Sequence, residues 1–243
     1  MLLAAVAALV GLLIGTVGVG GVLMVSYLAL FAGLTIHQAA ATSLFTFLFT
    51  GILGSFLYQR RGSIDWRITL PVCGAAVVFG FCGAAVAAII DPRPLAIIIA
   101  LVIIGAGIYV FLPTSITPVQ RPHGPRQQIL LATVGALSGF GSGFSGAGGP
   151  LFSVPLMVIL RYAPLTAVAT SQVLQIVAAT SGSIENLRHD FIDFRIALIV
   201  TFFELAGVLV GVRLAHVASA LVLRRLAGAL CVLTGGLLLF RTV

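Results

Sequence analysis

The 243 residues are 60% hydrophobic and 8% charged, with a mean hydropathy of +1.21. A water-soluble domain carries about a quarter charged residues, so the composition excludes a soluble globular body and predicts an all-α polytopic membrane protein. The formal charge of +7 comes from 13 basic residues, all arginine, set singly or in pairs between apolar runs; without a basic arm or stripe, this argues against a nucleic-acid partner and fits charges at membrane–water boundaries.

The chain opens with an apolar stretch over 2–33 that is interrupted by Gly15, Gly18, Gly20 and Gly21. It lacks the basic start of a secretory signal, so the first segment is expected to stay in the mature protein. Segments near 38–58, 68–90 and 94–112 each reach the roughly 20 helical residues that cross a bilayer core. A polar piece then carries Pro113, Pro118, Pro122 and Pro125 with Arg121, His123 and Arg126, and reads as an exposed linker. Beyond it, 128–160 is apolar and interrupted by Gly143, Gly146, Gly148 and Gly149, and segments near 164–184, 194–213 and 220–240 again reach spanning length. The expected organisation is 1–112, a linker at 113–127, and 128–243.

These two parts are copies. A constant shift of 128 residues lays GTVGVGG at 15–21 on GFSGAGG at 143–149, and ATS at 41–43 on ATS at 169–171. It also lays GSFLYQRRGSIDWR at 54–67 on GSIENLRHDFIDFR at 182–195. Between 11–67 and 139–195 there are 17 identities in 57 positions, among them matched Thr-Ser, Gly-Ser and Asp-x-Arg. An apolar composition does not give such polar matches at one offset. Internal duplication is a recurring architecture of secondary transporters, with the substrate site where the repeats meet.

Two arrangements are open. If each interrupted stretch crosses once, every half has four spans and the repeats are parallel; if each dips in and returns, every half has three spans and the repeats are inverted. Arginine counting divides the chain eight against five in the first case and nine against four in the second, so charge asymmetry favours re-entrant stretches and inverted repeats. Segment length agrees: 2–14 and 22–33 each make about 20 Å of helix at about 1.5 Å per residue, too short to cross.

The glycine clusters are the strongest candidate for chemistry. Gly18, Gly20 and Gly21, with Gly146, Gly148 and Gly149, stand where a helix would continue, and broken backbone at membrane depth is tolerated only against protein or a water-filled cavity. The expected product is a half-helix starting near Val22 in one copy and at Pro150 in the other. Each start presents unpaired N–H groups and about half a positive charge. Two converging starts would bind a small anion without any charged side chain; close helix packing through small residues is the competing reading.

Thr42 and Ser43, with Thr170 and Ser171, add duplicated hydroxyls that donate either to a bound oxyanion or back to their own helix. Gln172 and Gln175 exist in the second copy alone, opposite Leu44 and Phe47, and are expected to make the site asymmetric. Glu204 lies mid-span, where an acid is costly: it is the candidate proton-coupling group, with a protonated or hydrogen-bonded structural acid as the competing reading. Asp65 and Asp193, each two residues before an arginine, read as helix caps. Trp66, Tyr58 and Tyr162 read as interfacial anchors. His37, His123, His189 and His216 show no metal-ligand spacing, and Cys73, Cys82 and Cys231 no CxxC spacing, so neither a metal nor another cofactor is expected.

The motifs GVGG at 18–21, GAGGPLFSVP at 146–155 and the paired ATS segments resemble the TauE/SafE family of bacterial sulfite and organosulfonate exporters. The resemblance covers essentially the whole chain; the first copy departs from the second at Val22 and Tyr27, where the second has Pro150 and Pro155, so the half-helix start is marked less strongly in the first copy. The resemblance implies a permease for small sulfur-containing anions, expected in the bacterial cytoplasmic membrane; Glu204 makes H+ a candidate coupling ion, and the lack of HExxH, GxSxG and useful Cys–His spacing argues against an enzyme. A channel-like anion pore on the same scaffold is the alternative. Oligomeric state is not fixed by the sequence.

Overall fold

The computed structural model describes residues 2–18, 20–111, 124–217 and 221–242. These form helices α1 (Leu2–Val17), α2 (Gly21–Phe31), α3 (Ile36–Arg60), α4 (Trp66–Ile89) and α5 (Pro92–Phe111) in the first part of the chain. The second part forms α6 (Pro125–Ser145), α7 (Pro150–Ile159), α8 (Pro164–Arg188), α9 (Phe194–Val217) and α10 (Leu221–Thr242). No strand occurs among the described residues. Each interrupted stretch is broken into two helices, of 16 and 11 residues in the first and 21 and 10 in the second, and each of the six expected spans is one helix.

Local signals set the boundaries. Thr35 and Gln38 form a reciprocal capping box that starts α3, and Pro164 opens α8 at a position where no N–H is needed. Asp65 accepts from the Arg67 amide at 3.0 Å, and Asp193 from the Ile196 amide at 2.9 Å. Both aspartates therefore cap the helices that follow, as the sequence suggests. α6 begins at Pro125, so 125–127 are its first turn rather than linker; the rest of that linker, 113–123, lies outside the described residues, as do Val19 and the Cys231 side chain.

Composition follows position. α3, α4 and α9 are long and apolar enough to cross a membrane. On α4, Leu70, Val77, Val78 and Phe79 are exposed, and on α9 Leu198, Phe202, Leu209 and Val210; apolar faces this continuous belong against acyl chains. α8 matches α3 in length at 25 residues but buries Thr170, Ser171, Gln172, Gln175 and Asn186. Its polarity is tolerable because neighbouring helices, not lipid, surround it.

Contacts fix the directions of the helices. Gly11 meets the Glu204 backbone and Gly15 meets Val208 and Gly211, so α1 runs parallel to α9. Gly135 meets Val72, Gly139 meets Ala76 and Gly143 meets Gly80, so α6 runs parallel to α4. Small residues along both seams let the backbones touch, the usual device of membrane helix pairs. α3 and α8 cross the middle antiparallel, with Leu44 against Gly182 and Gly51 against Gln172 and Ile176.

The consequence is a pair of hairpins. The start of α6 and the end of α7 share one end of the bundle, where the Gln127 amide donates to the Tyr162 hydroxyl at 3.0 Å. α1 starts and α2 ends at the other, where Arg241 donates to the Leu30 carbonyl at 2.9 Å. In each interrupted stretch the outer ends of its two helices therefore lie at the same end of the bundle. Arg60, Arg61, Arg67, Arg126, Arg161 and Arg213 mark the first end.

Candidate functional site

The two hairpin tips meet inside the bundle. α1 stops at Gly18, whose N–H donates to the Leu13 and Ile14 carbonyls at 3.1 and 3.2 Å and whose φ is +75°. α6 stops at Gly146, with φ +66° and its N–H on the Ser142 carbonyl at 2.9 Å. These left-handed positions turn the chain back at a point where a Cβ would strain it. A Cβ on Gly18 would lie 2.9 Å from the Pro150 Cβ, and one on Gly21 would fall on the Ala147 carbonyl oxygen. Gly18, Gly20, Gly21, Gly146, Gly148 and Gly149 are all buried.

Polar accounting at the tips is one-sided. The carbonyl ends of the broken helices are well served: the Tyr58 hydroxyl donates to Gly15 at 2.8 Å and the Gln172 amide to Ile14 at 3.1 Å. In the other hairpin, the Ser145 hydroxyl donates to the Gly141 carbonyl at 2.6 Å and accepts from the Ala147 N–H at 3.3 Å. The amino ends of α2 and α7 differ, because their caps are Gly20 and Gly149 and no side chain reaches either. Two buried helix starts, each carrying about half a positive charge, approach one another with their negative counterparts already neutralised.

The predicted side chains divide into those near the tips and those committed elsewhere. The Ser171 hydroxyl lies beside Gly18 but donates to the Val168 carbonyl at 2.7 Å. Thr170 bonds Thr69 at 3.0 Å across α4 and α8, and Thr42 accepts from the Asp193 amide at 3.0 Å. Of the four hydroxyls, Ser43 alone is buried without a partner. The Gln175 amide donates to the Phe47 carbonyl at 2.9 Å and the Thr50 hydroxyl at 2.7 Å, and its oxygen faces Gly148. Gln172 thus commits an N–H to the α1 backbone, and Gln175 both of its N–H groups to α3, one to backbone and one to a hydroxyl.

Glu204 is fully buried on α9, its backbone against Gly11 and its two carboxyl oxygens without a hydrogen-bond partner. Thr46 of α3 stands beside it, with its hydroxyl turned to the Ser43 carbonyl at 2.9 Å. Glu204 belongs to the α1–α3–α9 packing, not to the tip contact itself.

Tyr58 corrects the sequence reading. It is wholly buried and clamps the α1 break, so it is not an interfacial anchor. The signal was there: Gly51, Gly54, Ser55 and Tyr58 recur at helical spacing, and a small-residue stripe faces protein, not lipid. Tyr162 is likewise buried and accepts from Gln127, whereas Trp66 is 45% exposed as an anchor should be. Ser145 had no signal beyond its place before a glycine. Separately, an open basin of about 680 Å³ lined by Arg61, Asp65, Arg67 and Thr166 lies at the arginine-rich end. Among the described residues no group of three or more His, Cys, Asp and Glu side chains could hold a metal ion.

A helical bundle with apolar outer faces and spans long enough to cross a bilayer is the build of a multi-pass membrane protein. The family described as sulfite exporter TauE/SafE matches residues 3–238, and the chain belongs to that family of membrane transporters. It is 28% identical over 99% of its length to the whole of "Probable membrane transporter protein YdhB" of Bacillus subtilis (strain 168). It is 26% identical, over 78% of this chain and 75% of the relative, to a "Probable membrane transporter protein" of Xylella fastidiosa (strain 9a5c). "Probable membrane transporter protein YunE" of Bacillus subtilis (strain 168) is 25% identical over 77% of this chain and 80% of its own. No solved structure matches the chain.

Proposed function

We propose that the protein is a secondary transporter that exports a small sulfur-containing anion, sulfite or an organosulfonate, across a bacterial cytoplasmic membrane. The anion sits between the N-termini of α2 and α7, near the midplane, and alternating access exposes it to either end. The reading is supported above all by two buried helix starts without side-chain caps meeting at Gly21 and Ala147. Backbone N–H groups and helix dipoles suit a singly or doubly charged oxyanion, since they supply positive potential and donors without a competing counter-ion. The family's description supplies the sulfur chemistry.

The same reading takes 1–112 and 128–243 as inverted repeats joined by a linker. Support comes from the register: α3 and α8 begin 128 residues apart with equal length, and so do α4 and α9. The pairing of α1 with α9 and α6 with α4 exchanges the halves in the way a pseudo-two-fold in the membrane plane requires. Glu204 breaks that symmetry, with Ala76 at its counterpart, and serves as the proton-coupling group.

Reconstitution in liposomes tests this. Sulfite flux that saturates and responds to an imposed proton gradient is the expected result. Absence of sulfite, sulfonate or other oxyanion flux overturns the transport reading, and linear, unsaturable current insensitive to Glu204→Gln replaces it with an anion pore.

A further inference from the structure

Between the first turns of α4 and α6, at the arginine-rich end, a groove of about 340 Å³ opens on the outer surface. Trp66, Arg67 and Gln127 line its upper part, and Leu70, Pro71 and Leu131 its apolar remainder. The Arg67 guanidinium is exposed and makes no ion pair or hydrogen bond among the described residues. Asp65, the nearest acid in sequence, is turned to the α4 backbone that it caps. Gln127 is only 9% exposed; its N–H is taken by the Tyr162 hydroxyl, and its Oε1 is buried with no donor. An unfilled buried acceptor costs free energy until something donates to it.

The groove therefore combines a free cation, an acceptor without a donor, an exposed indole and an apolar floor on the lipid-facing side. We propose that it is a binding site for a phospholipid whose anionic headgroup carries hydroxyl donors, of the phosphatidylglycerol type. The phosphate pairs with Arg67, a headgroup hydroxyl donates to Gln127 Oε1, and an acyl chain lies along Leu70 and Pro71. Trp66 marks the depth of the glycerol backbone, where indole rings settle. Phosphatidylcholine offsets its phosphate with its own choline cation, so it is drawn less to Arg67, and it brings no hydroxyl hydrogen to Gln127; net charge and headgroup donors together discriminate between the two. Arginine excess at this end agrees, since anionic lipid is concentrated in the leaflet that basic residues face. The proposal rests on the protein's place in a membrane and not on what it transports.

Native mass spectrometry of the full chain in detergent, titrated with phosphatidylglycerol or phosphatidylcholine of the same acyl chains, tests it. One cation at a membrane surface contributes about 1 kcal/mol, so a preference of about fivefold for phosphatidylglycerol is expected. Arg67→Gln should abolish the preference with the melting temperature unchanged, and Gln127→Leu should reduce it. Arg195→Gln, at the matching position of the opposite end, should leave it intact. Equal binding of both lipids, or a preference that survives Arg67→Gln, overturns the proposal. So does displacement of lipid by soluble glycerol phosphate, which would make this a site for free phosphate, or a dimer that Arg67→Gln dissociates.

Discussion

The carbonyl oxygen of Ala147 occupies the place where a Cβ on Gly21 would project, and the Phe47 ring edge lies 2.8 Å from the same point. Backbone, not a flexible side chain, blocks that position. Gly21→Ala must therefore push the two tips apart, and overpacking of a tight interior costs about 1–3 kcal/mol. Anion flux should fall by about tenfold or more, in line with a misplaced pair of N–H donors. Gly74→Ala on α4, where nothing lies within 4 Å, is the matched control and should transport normally. Equal flux in both variants would mean that the tip contact does not govern the route.

Tyr58 and Gln172 hold the carbonyl end of α1 from two different helices. Tyr58→Phe keeps the ring and removes the donor, so the buried Gly15 carbonyl loses its partner at a cost of about 1–3 kcal/mol. Thermal unfolding in detergent should show the loss. Tyr27→Phe, altering a partly exposed ring tilted against Phe31, should not.

Much of this arrangement was legible in the chain before any coordinates. Glycine interruptions mark the breaks at Gly18 and Gly146 because breaking a helix in lipid needs particular residues, and Pro150 and Asp65 mark helix starts because they relieve or satisfy particular N–H groups. Side-chain assignments were harder to read. A hydroxyl or amide on a buried helix has several partners within reach, and only packing decides between them. Thr42 and Thr170 look alike in sequence, yet one holds the Asp193 amide and the other Thr69. Tyr58 looked like an anchor because its distance from the end of α3 is visible in sequence, whereas the face it occupies depends on where α1 lies.

Gln175 tests whether the amides of α8 select the anion or brace the helices. Both of its N–H donors serve α3, so Gln175→Leu should lower stability by about 1–3 kcal/mol through the Phe47 carbonyl it abandons. The order of preference among sulfite, sulfate and taurine should persist at reduced flux. A changed order, measured by competition in proteoliposomes, would place the Gln175 carbonyl oxygen, which faces Gly148, in contact with the anion.

Glu204→Gln separates coupling from structure. The amide keeps the shape of a side chain that is fully buried and whose two oxygens have no partner. It removes an ionisable group whose charged form is costly at that depth, by a few kcal/mol on insertion scales. Stability in detergent should be unchanged or higher, since no ion pair or hydrogen bond is broken. If Glu204 carries the coupled proton, sulfite accumulation driven by a proton gradient should be lost while sulfite–sulfite exchange at zero gradient continues, because exchange needs no net proton movement. Loss of both activities in a folded variant would make Glu204 part of the anion route; retention of gradient-driven accumulation would assign the coupling to another group.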